Sequence, residues 1–251
     1  MMDDLLSRCS FPVLDPPYAQ ALREAIELIL RRYTPVGIIA ADSILRGVPD
    51  RTSDLDLYVI HKATFRQRLQ KFFNGVPAEI FVNPPTQVVR YFAEEHASGR
   101  PITANMLTNG FIVLSTDEVV EQLHSQAREW LAKTPSWSET QLLWVRYAAG
   151  NQYEDGLDLA ERDPAMAQVF LSKAVVTMLE YFFKSRGLFL PRGKELLAGV
   201  AQLDPLLGAA ARGFFTSGDF AERLQFAEKI ADATIGVHGF FEWESSPEEV
   251  P

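Results

Sequence analysis

The sequence predicts an α+β fold: a mixed β-sheet with flanking helices comes first, and an all-helical bundle follows. Short apolar runs of strand length alternate with amphipathic helical patterns through the first half of the chain. A Pro- and Ser-containing stretch at 134–138 interrupts this alternation, and only helical patterns follow it. We therefore expect an α/β domain at 1–134, a helical bundle domain at 135–243 and a flexible acidic tail at 244–251.

Composition is typical of an ordinary globular protein, with 47% hydrophobic and 23% charged residues in 251. A net charge of −9 argues against a broad nucleic-acid surface, which needs Lys and Arg to neutralise phosphates. The single cysteine excludes an intrachain disulfide and a Cys-rich zinc site. The first residues do not resemble a signal peptide, and no long uninterrupted apolar run occurs, so we expect no membrane span and a cytoplasmic location.

Periodicity places the elements of the first half in order. Strands are predicted at 35–41, 52–60, 76–85 and 110–114, and helices at 17–33, 63–74, 86–97, 103–108 and 118–133. The helix at 63–74 rests on Phe65, Leu69, Phe72 and Phe73, which are three or four residues apart or adjacent, and Asn74-Gly75 resembles a helix stop.

The second half is predicted to be entirely helical. Helices are expected at 139–162, 164–186, 193–203, 205–215 and 219–237, separated by Gly, Pro and Asp-Pro breaks. Ser138, with Gln141 three residues later, predicts a capping box at the start of the first of these helices.

Two carboxylates open the second predicted strand. Asp54 and Asp56 alternate with Leu55 and Leu57, so both acids point to the same face of a strand whose other face is apolar. Neighbouring carboxylates repel each other, and a cation between them removes that repulsion. Oxygen ligands at this spacing suit Mg²⁺, although an Asp-x-Asp pair is also common on a solvated strand face.

The order of features around this pair resembles the nucleotidyltransferase superfamily that includes DNA polymerase beta and the antibiotic nucleotidyltransferases. Members have a hydrophobic strand, a Gly-Ser or Gly-Gly pair, a loop, and then Asp-hydrophobic-Asp-hydrophobic. Here Ser43 matches the second residue of the Gly-Ser pair and Arg46-Gly47 matches a common continuation. The α/β half followed by a helical half is similar in layout to the aminoglycoside-type antibiotic enzymes and their bacterial relatives.

One position departs from that pattern. Asp42 stands where the superfamily has its first glycine. The glycine lets the backbone approach the nucleotide phosphates, whereas an acidic side chain repels them unless it points away or helps to hold a metal. The departure favours an alternative hypothesis, in which the chain keeps the fold and binds a nucleotide or a protein partner without transferring anything. A weaker third hypothesis is an antitoxin-like partner of a helical protein.

Glu79 is the candidate third acid. It is the only acidic residue in the apolar strand predicted at 76–85. The resemblance implies that it is either a third metal ligand or the base that accepts the acceptor's proton. A single Glu on a strand can also simply mark the strand's solvated side.

The resemblance implies a full reaction. Asp54, Asp56 and Glu79 would hold two Mg²⁺ ions that bridge the triphosphate of ATP or another nucleoside triphosphate. Ser43, with Asp42, Arg46 and Ser53 beside it, would bind the nucleotide phosphates. A hydroxyl of a small acceptor would attack the α-phosphorus and release pyrophosphate. The sequence leaves open the acceptor, the base of the nucleotide and the oligomeric state.

The helical half offers two further candidate positions. Lys194, or Arg192 in its place, lies in a stretch that resembles the one where related transferases carry a basic residue for the triphosphate. On the helix from 139, Glu154 and Asp155 belong to a polar stripe that could bind a cationic acceptor or supply a base. Such a stripe is also typical of a solvated helix face, and lysine is common in first turns.

Overall fold

The chain divides into two compact units. The computed structural model describes residues 2–41, 43–47, 49–245 and 247. The first unit is Met1–Lys133 and the second is Thr134–Pro251. Each unit encloses buried apolar residues of its own.

The first unit contains five helices and five strands in the described residues. The helices are α1 (Met2–Ser7), α2 (Pro16–Arg32), α3 (Pro85–Ser98), α4 (Ile102–Asn109) and α5 (Val119–Ala132), and the strands are β1 (Pro35–Ala41), β2 (Leu55–His61), β3 (Gln67–Phe73), β4 (Val76–Asn83) and β5 (Phe111–Ser115). Four of the predicted helices and all four predicted strands are confirmed, with ends that differ by a few residues at most.

The five strands form one mixed sheet in the order β3-β4-β2-β1-β5. The central pair β2 and β4 is parallel, and the other neighbours are antiparallel. In the parallel pair, Asp56 lies in register with Glu79, so the register brings together two acids that are far apart in the sequence.

The sheet is covered differently on its two faces. On one face, α2 packs on the alternate residues of the central strands, including Leu55, Leu57 and Ile80, which are fully buried. On the other face, residues of α3, α4 and α5 surround Tyr58 and Ile60. Because strand side chains alternate between faces, Asp56 and Glu79 share the face of Tyr58.

The helix predicted at 63–74 is wrong. These residues contain strand β3, which pairs antiparallel with β4. Asn74 and Gly75 form the turn of this hairpin, with φ of 45° and 77°, and both therefore have the left-handed conformation that a two-residue hairpin requires. Phe72, expected inside a helix interface, is 77% exposed on the strand.

The second unit is helical throughout its regular elements. Its helices are α6 (Glu139–Leu159), α7 (Pro164–Lys184), α8 (Leu196–Leu203), α9 (Pro205–Thr216) and α10 (Phe220–Ala233), with a single 3₁₀ turn at Gly193–Glu195. The predicted helices are confirmed, although α10 ends four residues before its predicted end at 237. The capping box of Ser138 and Gln141 is also confirmed. Of the predicted tail, only 244, 245 and 247 lie within the described residues.

Helix α7 forms the centre of the second unit. Its buried residues include Leu171, Val175 and Phe182. Within the described residues it is also the helix that is long and apolar enough to cross a membrane by length and composition. A buried core helix has the same properties, so this finding is weak evidence for a membrane span.

Candidate active site

Three carboxylates come together where β2 and β4 lie side by side. Asp54, Asp56 and Glu79 each offer an oxygen, and these oxygens all lie within 4.8 Å of one another. Asp54 immediately precedes β2, Asp56 is its second residue, and Glu79 is on β4 in register with Asp56. We call these three residues the acid trio.

The acid trio suits a hard divalent cation. Mg²⁺ binds carboxylate oxygens at about 2.1 Å, so two oxygens on opposite sides of one ion lie about 4.2 Å apart. The observed separations therefore need only small side-chain movements to close on an ion. Asp54 and Asp56 are half-buried, which leaves room for water or substrate oxygens to complete the coordination.

Glu79 is held by two donors from β3. Arg68 Nε and Gln70 Nε2 both donate to Glu79 Oε1, the latter at 3.1 Å. The hydrogen bond from Arg68 is the largest cause that lowers the pKa of Glu79, and burial opposes it. Glu79 thus stays ionised, as a metal ligand must, and its lowered pKa makes it a weak proton acceptor.

A pair of hydroxyls lies in the loops beside β1 and β2. The oxygens of Ser43 and Ser53 are 2.8 Å apart, and the backbone N–H of Asp50 donates to Ser53 Oγ at 2.7 Å. The short turn at 43–47 and the start of β2 are therefore tied together at their side chains. This linkage holds two hydroxyls on the β1 side of the acid trio.

A cleft opens on the β4 side of the acid trio, within the first unit. Its volume is about 640 Å³. Its lining comes from β2, β3 and β4 and from helices α3 and α4. Asp56 and Glu79 line this cleft, so the acids are directly accessible to a molecule bound in it.

The other predicted site residues have different surroundings. Arg46 is exposed in the turn at 43–47, and Asp42 lies outside the described residues. Lys194 is exposed in the 3₁₀ turn, and the neighbouring Arg192 pairs with Glu195.

Glu154 and Asp155 are half-buried on α6, where Asp155 accepts a long hydrogen bond from Asn151 at 3.4 Å. Like Lys194 and Arg192, these two acids belong to the second unit. A role for any of the four residues beside the acid trio stays a prediction.

Sequence reasoning missed the residues around Glu79. Arg68 and Gln70 were assigned to a helix, and Tyr58 and Asn83 were treated only as parts of strands. The Asn74-Gly75 pair was the available signal, since Asn-Gly between two strand patterns predicts a tight hairpin. A hairpin centred on that pair places Gln70 opposite Glu79 and Arg68 opposite Phe81, as observed.

Comparison with known proteins gives one finding at the level of structure. No family model matches the chain, and no curated protein is significantly similar to it. Among solved structures, it is similar to a nucleotidyltransferase-like protein from Exiguobacterium sibiricum 255-15, with 14% sequence identity and a TM-score of 0.49. The match covers 86% of this chain and 76% of that protein.

Proposed function

We propose that the protein is a Mg²⁺-dependent nucleotidyltransferase that moves a nucleoside monophosphate, AMP from ATP, to a hydroxyl of a small acceptor. The acid trio carries this proposal: three carboxylates from two adjacent parallel strands converge beside an open cleft. Three carboxylates at this separation repel one another, and a divalent cation between them would relieve the repulsion that remains when Arg68 pairs with Glu79.

Asp54, Asp56 and Glu79 would hold the metal, as two ions when nucleotide is bound. Bound Mg²⁺ neutralises charge on the triphosphate and orients the reacting groups. Arg68 and Gln70 keep Glu79 ionised and fix the oxygen that they share. Between the two roles predicted for Glu79, the lowered pKa supports that of a ligand over that of a base.

The Ser43–Ser53 pair would bind the leaving phosphates. One hydroxyl donates to the other, and the accepting hydroxyl keeps its own hydrogen to donate to a phosphate oxygen. Arg46 is exposed in the same turn and would add positive charge there. Lys194 or Arg192 as a second cation, and Glu154 or Asp155 as acceptor contacts, are further proposals, as is a cytoplasmic location.

In the transfer step, the acceptor oxygen bonds to the α-phosphorus while the bond from that phosphorus to the β-bridging oxygen breaks. Pyrophosphate leaves and the hydroxyl proton passes to solvent. The attacking and leaving oxygens lie roughly in line in such reactions, so acceptor and pyrophosphate must occupy opposite sides of the acid trio.

A thermal-shift titration with ATP, GTP, CTP and UTP, each with and without Mg²⁺, tests the proposal. At about 100 times the dissociation constant, a ligand adds roughly 2.7 kcal/mol to stability, which raises the melting temperature by a few degrees. We expect a Mg²⁺-dependent shift with one nucleotide that is lost in Asp54→Asn and kept in Asp158→Asn, an exposed control on α6. No shift with any nucleotide would contradict the proposal.

A further inference from the structure

The floor of the cleft contains a buried hydroxyl that has no hydrogen-bond partner among the described residues. Tyr58 is 1% exposed, and its hydroxyl has no hydrogen-bond partner among the residues that the structure describes. Asn83 and Thr103, each 4% exposed, line the cleft beside it. A hydroxyl buried without a partner destabilises the folded state, so a ligand or water that accepts from Tyr58 would recover that energy.

The phenol hydroxyl of Tyr58 can donate one hydrogen bond to a ligand atom at the floor of the cleft. Glu95, which also lines the cleft, is less available, because both of its oxygens accept hydrogen bonds from Thr103, at 2.6 and 2.8 Å.

One part of the cleft wall is aromatic and apolar. The rings of Tyr58 and Phe81 stack with centroids 6.0 Å apart. Tyr91, Met106 and Ile102 complete this surface, and Ile102 is 59% exposed. A cleft of about 640 Å³ with such walls is the size of a small-molecule site and favours a flat or apolar body.

Positive charge lies along the β3 edge of the cleft. Arg66 donates to the Tyr91 hydroxyl, and within the described part of the chain no carboxylate pairs with it. Arg68 pairs with Glu79, and its guanidinium carbon lies 4.9 Å from the centre of the Phe81 ring. These two guanidinium groups place positive charge along this edge of the cleft, where an anionic group of a ligand can accept hydrogen bonds from them.

The positions of the two serines and of the cleft on the sheet also indicate which substrate the cleft binds. Ser43 and Ser53 lie on the β1 side of the acid trio, and the cleft lies on the β4 side. If the leaving phosphates occupy the serine side, in-line attack requires the acceptor to come from the cleft. This step rests on the proposed function, whereas the chemistry of the cleft walls does not.

We propose that this cleft binds the acceptor, and that the acceptor is a small hydroxyl compound with a flat or apolar body and an anionic group. Arg66 and Arg68 would bind the anionic group, Phe81 and Tyr91 would contact the body, and Tyr58 would donate to a polar atom at the floor. This ligand differs from the cationic acceptor that the polar stripe with Glu154 and Asp155 would bind.

Two probes that share one body and differ in charge test the proposal. 4-Hydroxyphenylacetate is anionic and tyramine is cationic, and both carry a hydroxyphenyl ring. We would measure their affinities by ligand-observed NMR at millimolar concentration with Mg²⁺ present. Because one charge-assisted contact is worth about 1.5–3 kcal/mol, we expect the anionic probe to bind about tenfold or more tightly.

Matched variants connect this preference to the cleft. The preference should fall several-fold in Arg66→Gln and in Arg68→Gln, and to about onefold in the double variant, because each change removes one of two guanidinium contacts. It should be unchanged in Arg90→Gln, whose guanidinium pairs with Glu94 on α3 and does not line the cleft. Equal or tighter binding of tyramine, no binding of either probe, or an unchanged preference in the double variant would overturn the proposal.

The nucleotide titration separates this proposal from the proposed function. A Mg²⁺-dependent nucleotide shift without any charge preference would overturn only the acceptor assignment. A charge preference that depends on Arg66, without any nucleotide shift, would support the anion-binding cleft and contradict nucleotidyl transfer.

Discussion

The two faces of the central strands β2 and β4 show how one pair of strands carries both stability and chemistry. On the α2 face, alternate residues such as Leu57, Val59 and Ile80 are fully buried in a continuous apolar core. On the opposite face, the same strands present the acids Asp56 and Glu79. Burial of the apolar face stabilises the folded state without any ligand. On the acidic face, carboxylate repulsion opposes folding until a cation binds.

The largest expected effect is on the apolar face. Leu57→Ala should destabilise the protein by about 2–5 kcal/mol, because it removes buried methyl groups and leaves a cavity. Chemical denaturation would measure this loss as a lower transition midpoint at an unchanged slope. Any fraction that stays folded should keep its Mg²⁺-dependent nucleotide binding. An unchanged midpoint would contradict the assignment of this face as core.

On the acidic face, Asp54→Asn and Asp56→Asn should each lower turnover by about 100-fold or more, since metal ions supply several kcal/mol of transition-state stabilisation. The free energy of unfolding without metal should stay equal or rise slightly, because carboxylate repulsion is relieved. Pyrophosphate release and thermal melting would measure the two quantities. A large loss of stability in both variants would instead mean that the acids are structural.

Arg68→Gln should change how stability depends on pH. Arg68 lowers the pKa of Glu79 in the folded state, so Glu79 contributes stability above its unfolded pKa, and this is lost as pH falls through the folded pKa. Without Arg68, this contribution above the unfolded pKa is smaller, so the variant is less stable before acidification and unfolds at a higher pH. Acid unfolding without Mg²⁺, followed by circular dichroism, should show a higher midpoint pH than in wild type.

The control for this pH experiment is Arg90→Gln, which removes another exposed arginine of the first unit. Its acid midpoint should match wild type. Equal midpoints in wild type, Arg68→Gln and Arg90→Gln would show that the Arg68 contact does not control the ionisation of Glu79.

The smallest expected effect is at the hairpin that brings Arg68 to the acidic face. Gly75 has φ of 77°, where a side chain costs about 1–2 kcal/mol, so Gly75→Ala should destabilise by that amount. Gly218→Ala is a suitable control, because a methyl group there meets no atom within 4 Å and the backbone needs no positive φ. A lower denaturation midpoint for Gly75→Ala than for Gly218→Ala would show that backbone strain causes the loss, since both variants remove a glycine. A midpoint for Gly75→Ala equal to that of Gly218→Ala would contradict the hairpin assignment.

Much of the fold and the choice of all three acids followed from local patterns. Asp54 and Asp56 belong to one short strand, so their shared face could be predicted from side-chain alternation alone. Glu79 was singled out because it is an isolated acid in an apolar strand. The pairing of Asp56 with Glu79 depends on the parallel register of β2 and β4, which local patterns do not determine.

The remaining surroundings of the site could not be predicted because of one wrong assignment. Residues 63–74 have aromatic residues at helical spacing, and that spacing was given more weight than the Asn-Gly turn. In β3, Leu69 and Phe73 face the α2 core while Arg68 and Gln70 face Glu79. The exposed Phe72 therefore gave a helical period that burial did not support.

The most direct test of the central claim is to locate a bound cation by Mn²⁺-induced broadening of backbone amide NMR signals. We expect substoichiometric Mn²⁺ to broaden signals of residues 54–57 and 78–80 selectively, and Asp56→Asn to remove this effect. Broadening centred on other acidic residues, or spread evenly over the acidic surface, would contradict a metal site at the acid trio.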